Sequence, residues 1–175
     1  MYPVRLGFGT AKKRIVTLVE NGHHAEALLT SVFTFEKIIH RTLKQLIVSS
    51  GFRSKDAKIL LSQIQGFKKQ NEIWSCFDPK HRGLPEIIGN EHWQHVKKAV
   101  QMRNRLVHGK QSYTFQECKS MTVNMVALLE HTVAVFNLMY SYNGWSTVAV
   151  RKISKLHCDA KVTEITAEKN WKLYE

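Results

Sequence analysis

Two long stretches of the sequence repeat apolar residues at the spacing of an α-helix, and they constrain the fold more than any other feature. The first runs from His24 to Ser49 and the second from Phe115 to about Tyr142. Apolar side chains recur three and four residues apart throughout both, which predicts wide apolar faces. The first stretch has enough of them to pack on two sides. The pattern therefore predicts an all-α bundle with two long helices.

A third helix is predicted between them, from Asn90, which can cap its start, to Gly109, which ends it. At about 100° per residue its apolar side chains form one arc. The arc contains Trp93, Val96, Ala99, Val100, Met102, Leu106 and Val107. Arg103 falls near the middle of this arc. Because a guanidinium keeps its charge in a protein, Arg103 needs either a paired anion or a cleft in which it faces a ligand.

Two shorter helices are expected nearer the N-terminus. Thr10 is a candidate cap for a helix that ends at Glu20, and Ser54 begins another that continues to about Gln65. Glu36 and His40, four residues apart in the middle of the first long helix, are candidate supporting residues. They either line an interior polar site or pair with each other on a half-exposed edge.

Residues 66–89 lose a clear helical period and contain two prolines and three glycines, so we expect a long exposed connection with one helical turn at 72–77. Its basic residues alternate with Phe67, Trp74 and Phe77. This mixture suits a segment that grips a phosphate backbone and stacks a base. The alternative is that the aromatic side chains pin the connection to the core.

The chain has 26 Lys and Arg against 14 Asp and Glu, a formal net charge of +12, which favours a polyanionic partner, above all nucleic acid. A solvated basic surface is the alternative. The candidate RNA-binding cations are Lys12, Lys13, Arg14, Lys68, Lys69, Lys80, Arg82 and Lys110.

Composition also indicates the compartment. The three cysteines lie far apart and form no C-x-x-C pair, the first residues contain no continuous apolar segment, and no long uncharged apolar run occurs elsewhere. We therefore expect a cytoplasmic protein with no membrane association. No metal-ligand or nucleotide-binding motif is present, so we expect no metal and no other cofactor.

The last part of the chain differs from the rest. Residues 147–150 and 161–166 have strand-like composition, and 164–173 suit a short helix. We divide the chain into a helical bundle, 1–144, and a C-terminal tail, 145–175, which packs on the bundle as an irregular strap or a β-hairpin.

The end of the motif helix carries three residues that suit RNA cleavage. His108 can transfer protons near neutral pH, Arg103 can stabilise negative charge on a phosphate, and Asn104 can orient either group. Together they could catalyse attack of a 2′-hydroxyl on the adjacent phosphorus without a metal. Arg103 and His108 diverge by about 140° on one helix, so we expect a composite site at a twofold homodimer interface. The alternative is structural: Arg103 pairs with Glu36, and His108 caps the helix.

At Arg103, Asn104 and His108 the sequence resembles the HEPN superfamily, whose signature is an arginine, a polar residue that is often Asn, and a histidine a few residues later. The order of helices around RNRLVHG is also similar, over roughly residues 10–143. The resemblance implies a HEPN-like bundle that dimerises through the motif. In many members it also implies a metal-independent endoribonuclease that leaves a 2′,3′-cyclic phosphate, often as a toxin or in antiviral defence.

The resemblance further implies roles for individual residues: Arg103 binds the phosphate, Asn104 assists, and His108 is the acid–base. One branch that pairs with nucleotidyltransferase antitoxins has a tyrosine two residues after the histidine. Lys110 stands there in this chain, which speaks against that particular pairing. An antitoxin or the product of a neighbouring gene remains an expected partner. The second reading is a catalytically silent HEPN module that binds RNA, a nucleotide or a protein.

Overall fold

A computed structural model describes residues 7–64 and 66–145, and over these ranges the chain is helical without a strand. The seven helices there are α1 (Phe8–Glu20), α2 (His24–Ser49), α3 (Ser54–Gln63), α4 (Phe67–Phe77), α5 (Leu84–Ile88), α6 (Asn90–Val107) and α7 (Phe115–Tyr140). The all-α prediction is confirmed, including the two long helices and the motif-bearing helix. The strand and helix predictions for the tail at 147–173 lie outside the described residues.

α2 is the central helix of the bundle. It contacts α1, α3, α4, α6 and α7, and its longest shared surface is with α7. Apolar side chains are fully buried on both sides of it, including Leu28, Phe35, Ile38, Ile39 and Leu43. The expectation that this helix packs on two sides is correct. Its polar residues near the middle are consequently held in fixed positions by the core.

Residues 66–89 are more helical than predicted. The predicted helical turn at 72–77 lies within α4, but the predicted long connection is wrong, because α4 covers Phe67–Phe77 and α5 covers Leu84–Ile88. Trp74 and Phe77 are buried, and Trp74 stacks on Phe136 with ring centroids 5.2 Å apart. These two rings belong to the core, and the alternative interpretation of the aromatic residues is correct for both. The apolar residues of α4 begin at Phe67, immediately after Gly66. The two lysines that follow Phe67 interrupt the apolar pattern and made the helix hard to recognise from the sequence.

Two predicted helix caps are also wrong. α1 begins at Phe8 with Gly7 as its N-cap, so Thr10 lies inside the helix. Gly89 is the N-cap of α6, and Asn90 is its first residue. In both cases a glycine immediately before the helix provides an extended or left-handed backbone without a side-chain hydrogen bond.

α7 has the best-defined start of the described helices. Thr114 accepts a hydrogen bond from the Glu117 N–H at 3.2 Å, and the Glu117 carboxylate accepts one from the Thr114 N–H at 2.7 Å. This capping box fixes the first turn at Phe115. The helix ends at Tyr140, two residues before the predicted end. By length and composition alone α7 could cross a membrane, and one side of it is buried against α2.

Beyond α7 the chain returns to α2. The Arg41 guanidinium donates to the Gly144 carbonyl, and Trp145 lies beside both Lys37 and Arg41. Gly144 has a φ of +81°, and a Cβ there would come within 3.1 Å of the Ile38 carbonyl oxygen. Only glycine allows so close an approach to α2.

Asp78 joins the α4–α5 turn to α7. Its fully buried carboxylate accepts hydrogen bonds from the Arg82 guanidinium, from the backbone N–H groups of Lys80 and Arg82, and from the Tyr140 hydroxyl at 2.6 Å. Burial alone would raise the pKa of Asp78, but these donors outweigh it and hold the pKa below its ordinary value. Arg82, a candidate RNA-binding residue, therefore has a structural partner.

We expect Asp78→Asn to lower the free energy of unfolding by about 2–4 kcal/mol, because it removes the charge that four donors surround. Since the folded-state pKa lies below the unfolded one, the stabilisation is present above about pH 4 and is lost as the pH falls through the folded-state value. Urea unfolding measured from neutral to acidic pH tests this. Asp56→Asn on α3 is the matched control; an equal loss in both variants would contradict the prediction.

Candidate functional site

Arg103 lies on α6 facing α2, and its guanidinium forms an ion pair with the Glu36 carboxylate. About a quarter of each side chain is exposed. Arg103 Nε is buried without a hydrogen-bond partner. Of the two possibilities predicted for Arg103, a paired anion or a cleft, the paired anion is present: it is Glu36, as the structural alternative anticipated.

Glu36 is an unusual partner because it lies in the middle of the core helix. Burial raises the pKa of Glu36 above its ordinary value, and the charge and hydrogen bond of Arg103 only partly offset this. Removing either partner of such a mostly buried pair would leave an uncompensated charge, so the two side chains depend on each other. The charge of the Arg103 guanidinium is thus compensated by Glu36, and the guanidinium also lies beside a cavity.

His108 lies at the other end of the motif, as the C-cap residue of α6. The Lys110 N–H donates to the Arg105 carbonyl at 2.9 Å, and the Gly109 N–H donates to the Leu106 carbonyl at 3.2 Å. These two bonds form a Schellman motif, in which Gly109 adopts a φ of +61°. The imidazole is consequently exposed where the chain turns away from α6.

Two cavities lie on either side of Asn104. The Arg103 pocket, of about 650 Å³, is lined by Glu36, Arg103 and Asn104 together with parts of α2 and α4. The His108 groove, of about 940 Å³, runs between α4 and α6 and contains Asn104 and His108. Asn104 borders both cavities, whereas Arg103 lines only the first and His108 only the second. This agrees with the angular separation that helical spacing predicts.

His40 lines the Arg103 pocket beside Glu36, so both candidate supporting residues border the same cavity. They do not pair with each other: Gln70 Nε2 lies 3.1 Å from His40 Nδ1. Burial lowers the pKa of His40, and the charges of Lys44 and Arg41 lower it further. These contacts favour a neutral His40 imidazole, whose Nδ1 accepts a hydrogen bond from the Gln70 amide N–H.

The predicted RNA-binding cations occupy different places. Lys68 borders both cavities, Lys110 lines the His108 groove, and Arg14 lines a smaller cavity on the far side of Arg103. Lys12 forms an ion pair with Glu130, and Arg82 pairs with Asp78. Lys13, Lys69 and Lys80 are exposed and line none of these cavities. The structure thus brings only part of the predicted set to the motif.

Sequence reasoning did not find most of the cations in the His108 groove. Its lining includes Lys68, Lys97, Lys98, Arg105 and Lys110, with no Asp or Glu. On α6, Lys97 and Lys98 precede Arg105 by eight and seven residues. Gln94, Gln101 and His108 lie three or four residues from these cations on the same face. This polar face was visible in the sequence as the complement of the apolar arc.

Similarity to known proteins does not identify the site. No family model, no curated protein and no solved structure matches the chain. Within residues 7–64 and 66–145, no group of three or more His, Cys, Asp and Glu side chains could hold a metal ion.

A double-mutant cycle on Glu36→Gln and Arg103→Gln should give a coupling free energy of about 1–2 kcal/mol, because both side chains are mostly buried. Chemical unfolding of the two single variants and the double variant measures it. The exposed pair Lys68 and Glu72, whose charged atoms are 3.9 Å apart, is the matched control and should couple more weakly. Equal coupling in both pairs would show that the Glu36 contact does not anchor Arg103.

Proposed function

We propose that the protein is a metal-independent endoribonuclease of the HEPN type. The observation that carries the proposal is that His108 opens onto a groove lined by five cations and no carboxylate, with Asn104 separating it from Arg103. A general acid–base beside a cationic groove suits a phosphodiester substrate. The resemblance of the RNRLVHG motif to the HEPN signature gives the reaction type.

In the proposed reaction the RNA 2′-hydroxyl attacks its own 3′-phosphorus, and the bond to the 5′-oxygen of the next nucleotide breaks. One histidine removes the hydroxyl proton and another supplies a proton to the departing 5′-oxygen. A guanidinium stabilises the additional negative charge on the phosphorus oxygens. The products are a 2′,3′-cyclic phosphate and a 5′-hydroxyl, with no water or metal consumed in this step.

The proposal requires a second copy of the chain, because Arg103 and His108 of one copy line different cavities. A surface suited to self-association lies next to Arg103: Phe33 is 65% exposed and Val107 is 59% exposed, and both line the cavity that contains Arg14 and Arg103. An isologous dimer through these apolar residues would bring the two motif helices together. The Arg103 of one copy could then approach the His108 groove of the other.

The cleavage proposal is tested by incubating the purified protein with RNA in EDTA. We expect cleavage that leaves a 2′,3′-cyclic phosphate, and a loss of rate of about 100-fold or more in His108→Ala. His95→Ala, another exposed histidine on α6, is the matched control and should cleave normally. Arg103→Lys, which keeps the charge but not the guanidinium fork, should also lose rate. Cleavage that survives in His108→Ala would refute the assignment of the acid–base.

The dimer is tested by sedimentation at micromolar concentration. We expect a dimer for the natural sequence and a monomer for Phe33→Glu, because the carboxylate would be buried in the interface. Leu138→Glu is the matched control, since Leu138 is 85% exposed at the end of α7 and does not line these cavities. A natural sequence that sediments as a monomer would contradict the composite site.

One observation favours a second candidate function, a catalytically silent module that binds RNA or another partner. Arg103 is already neutralised by Glu36 within the chain, as a structural ion pair would be. Under this proposal the protein binds RNA in EDTA without cleaving it. A further readout is toxicity on expression, which a ribonuclease would cause in the cytoplasm and His108→Ala would relieve, unless a partner such as an antitoxin restrains it.

A further inference from the structure

The His108 groove extends well beyond the motif. Its α6 side runs from Trp93 to His108, which corresponds to about 22 Å along the helix axis. Its α4 side includes Phe67, Lys68 and Asn71. Such a length exceeds what one phosphate at the motif requires and is enough for a few consecutive nucleotides.

The lining of the groove has two chemically distinct parts. Lys68, Lys97, Lys98 and Lys110 are exposed, so their ammonium groups reach solvent around the groove. Phe67, Trp93 and Val100 are half-buried or buried and form an apolar floor. A cationic border around an apolar floor is the arrangement that holds a phosphate backbone while bases lie against a surface.

Four side-chain amides complete the lining, those of Asn71, Gln94, Gln101 and Asn104. Each amide offers both a donor and an acceptor, which matches the mixed hydrogen-bonding edges of bases. Base edges are accessible in single-stranded RNA, whereas the deep, narrow major groove of an A-form duplex hides them from side chains. The amides therefore favour a single strand over a duplex.

We propose that the His108 groove binds single-stranded RNA along α6. Lys97 and Lys98, which lie N-terminal to the motif on α6, contact its phosphates. This inference rests on the proposed function for its substrate class and adds the path of the strand. The Arg105 guanidinium donates a hydrogen bond to the Gln111 amide oxygen at 2.6 Å, and the Tyr113 hydroxyl donates to the same oxygen. These bonds hold the segment between α6 and α7 near the His108 end of the groove. Lys110 completes the cationic border next to His108.

The test compares Lys97→Gln/Lys98→Gln with Lys55→Gln/Lys58→Gln. The second double variant removes the same charge from α3, where both lysines are exposed and line neither cavity. Binding is measured by fluorescence anisotropy with a short labelled single-stranded RNA that is 2′-O-methylated throughout, so that the proposed cleavage cannot occur. The salt dependence of binding is recorded for each protein.

The groove variant should bind about tenfold more weakly at low salt, and the slope of log affinity against log salt should fall by about 1.4, the value for two lost phosphate contacts to a single strand. The α3 variant should keep the natural slope. Equal losses in the two variants would overturn the groove, because they would show attraction by net charge alone. A duplex RNA that competes as well as the single strand would overturn the choice of a single strand.

Cleavable RNA separates this inference from the proposed function. If both hold, the groove variant raises KM and leaves kcat unchanged, because Lys97 and Lys98 lie away from the reacting atoms. Weaker binding by the groove variant alone, with no cleavage by the natural sequence, would overturn the ribonuclease and support the groove. Cleavage with an unchanged KM in the groove variant would overturn the groove and support the ribonuclease.

Discussion

The packing of α2 inside the bundle is the constraint on which the rest of the structure depends. α2 contacts every other described helix except α5, and its apolar residues are buried on both sides. A helix in this position has little freedom to rotate, because close-packed neighbours surround it. Glu36 and His40 are therefore fixed relative to α4 and α6, and α6 must present Arg103 to a carboxylate that cannot move far.

The apolar arc of α6 explains why the motif splits into two environments. Val96, Ala99 and Met102 are buried and set the rotation of the helix, which turns Arg103 toward α2 and His108 toward solvent. Around the axis of α6, Asn104 points in a direction between those of Arg103 and His108, and it borders both cavities. The geometry of the site follows from helical periodicity together with the burial of one face.

Periodicity also decides what could be predicted from the sequence. α2 was predicted with its observed bounds and α6 to within two residues, because long apolar repeats are unambiguous. The position of Arg103 on the apolar arc indicated either a paired anion or a cleft, and the paired anion is present. Only the last part of α4, the turn at 72–77, was predicted, because its lysines and the following Pro79 hide a short apolar repeat. The groove was missed for a different reason. Its lining comes mainly from α4 and α6, which are separated in the sequence by α5. Which helices pack side by side is decided by the tertiary structure and cannot be read from a local sequence pattern.

The placement of charge around α6 is the final link between fold and function. Arg103 is compensated by Glu36, while the cations of the His108 groove have no carboxylate in the lining. A polyanion would therefore be attracted first to the groove, and it would meet an uncompensated guanidinium at the motif only by displacing Glu36. A phosphate in that place would have to compensate the guanidinium as well as Glu36 does, because a mostly buried ion pair is costly to break. Under the proposed function the ion pair and a phosphate site would be compatible: Glu36 compensates Arg103 in the free chain, and a bound phosphate would take over that role.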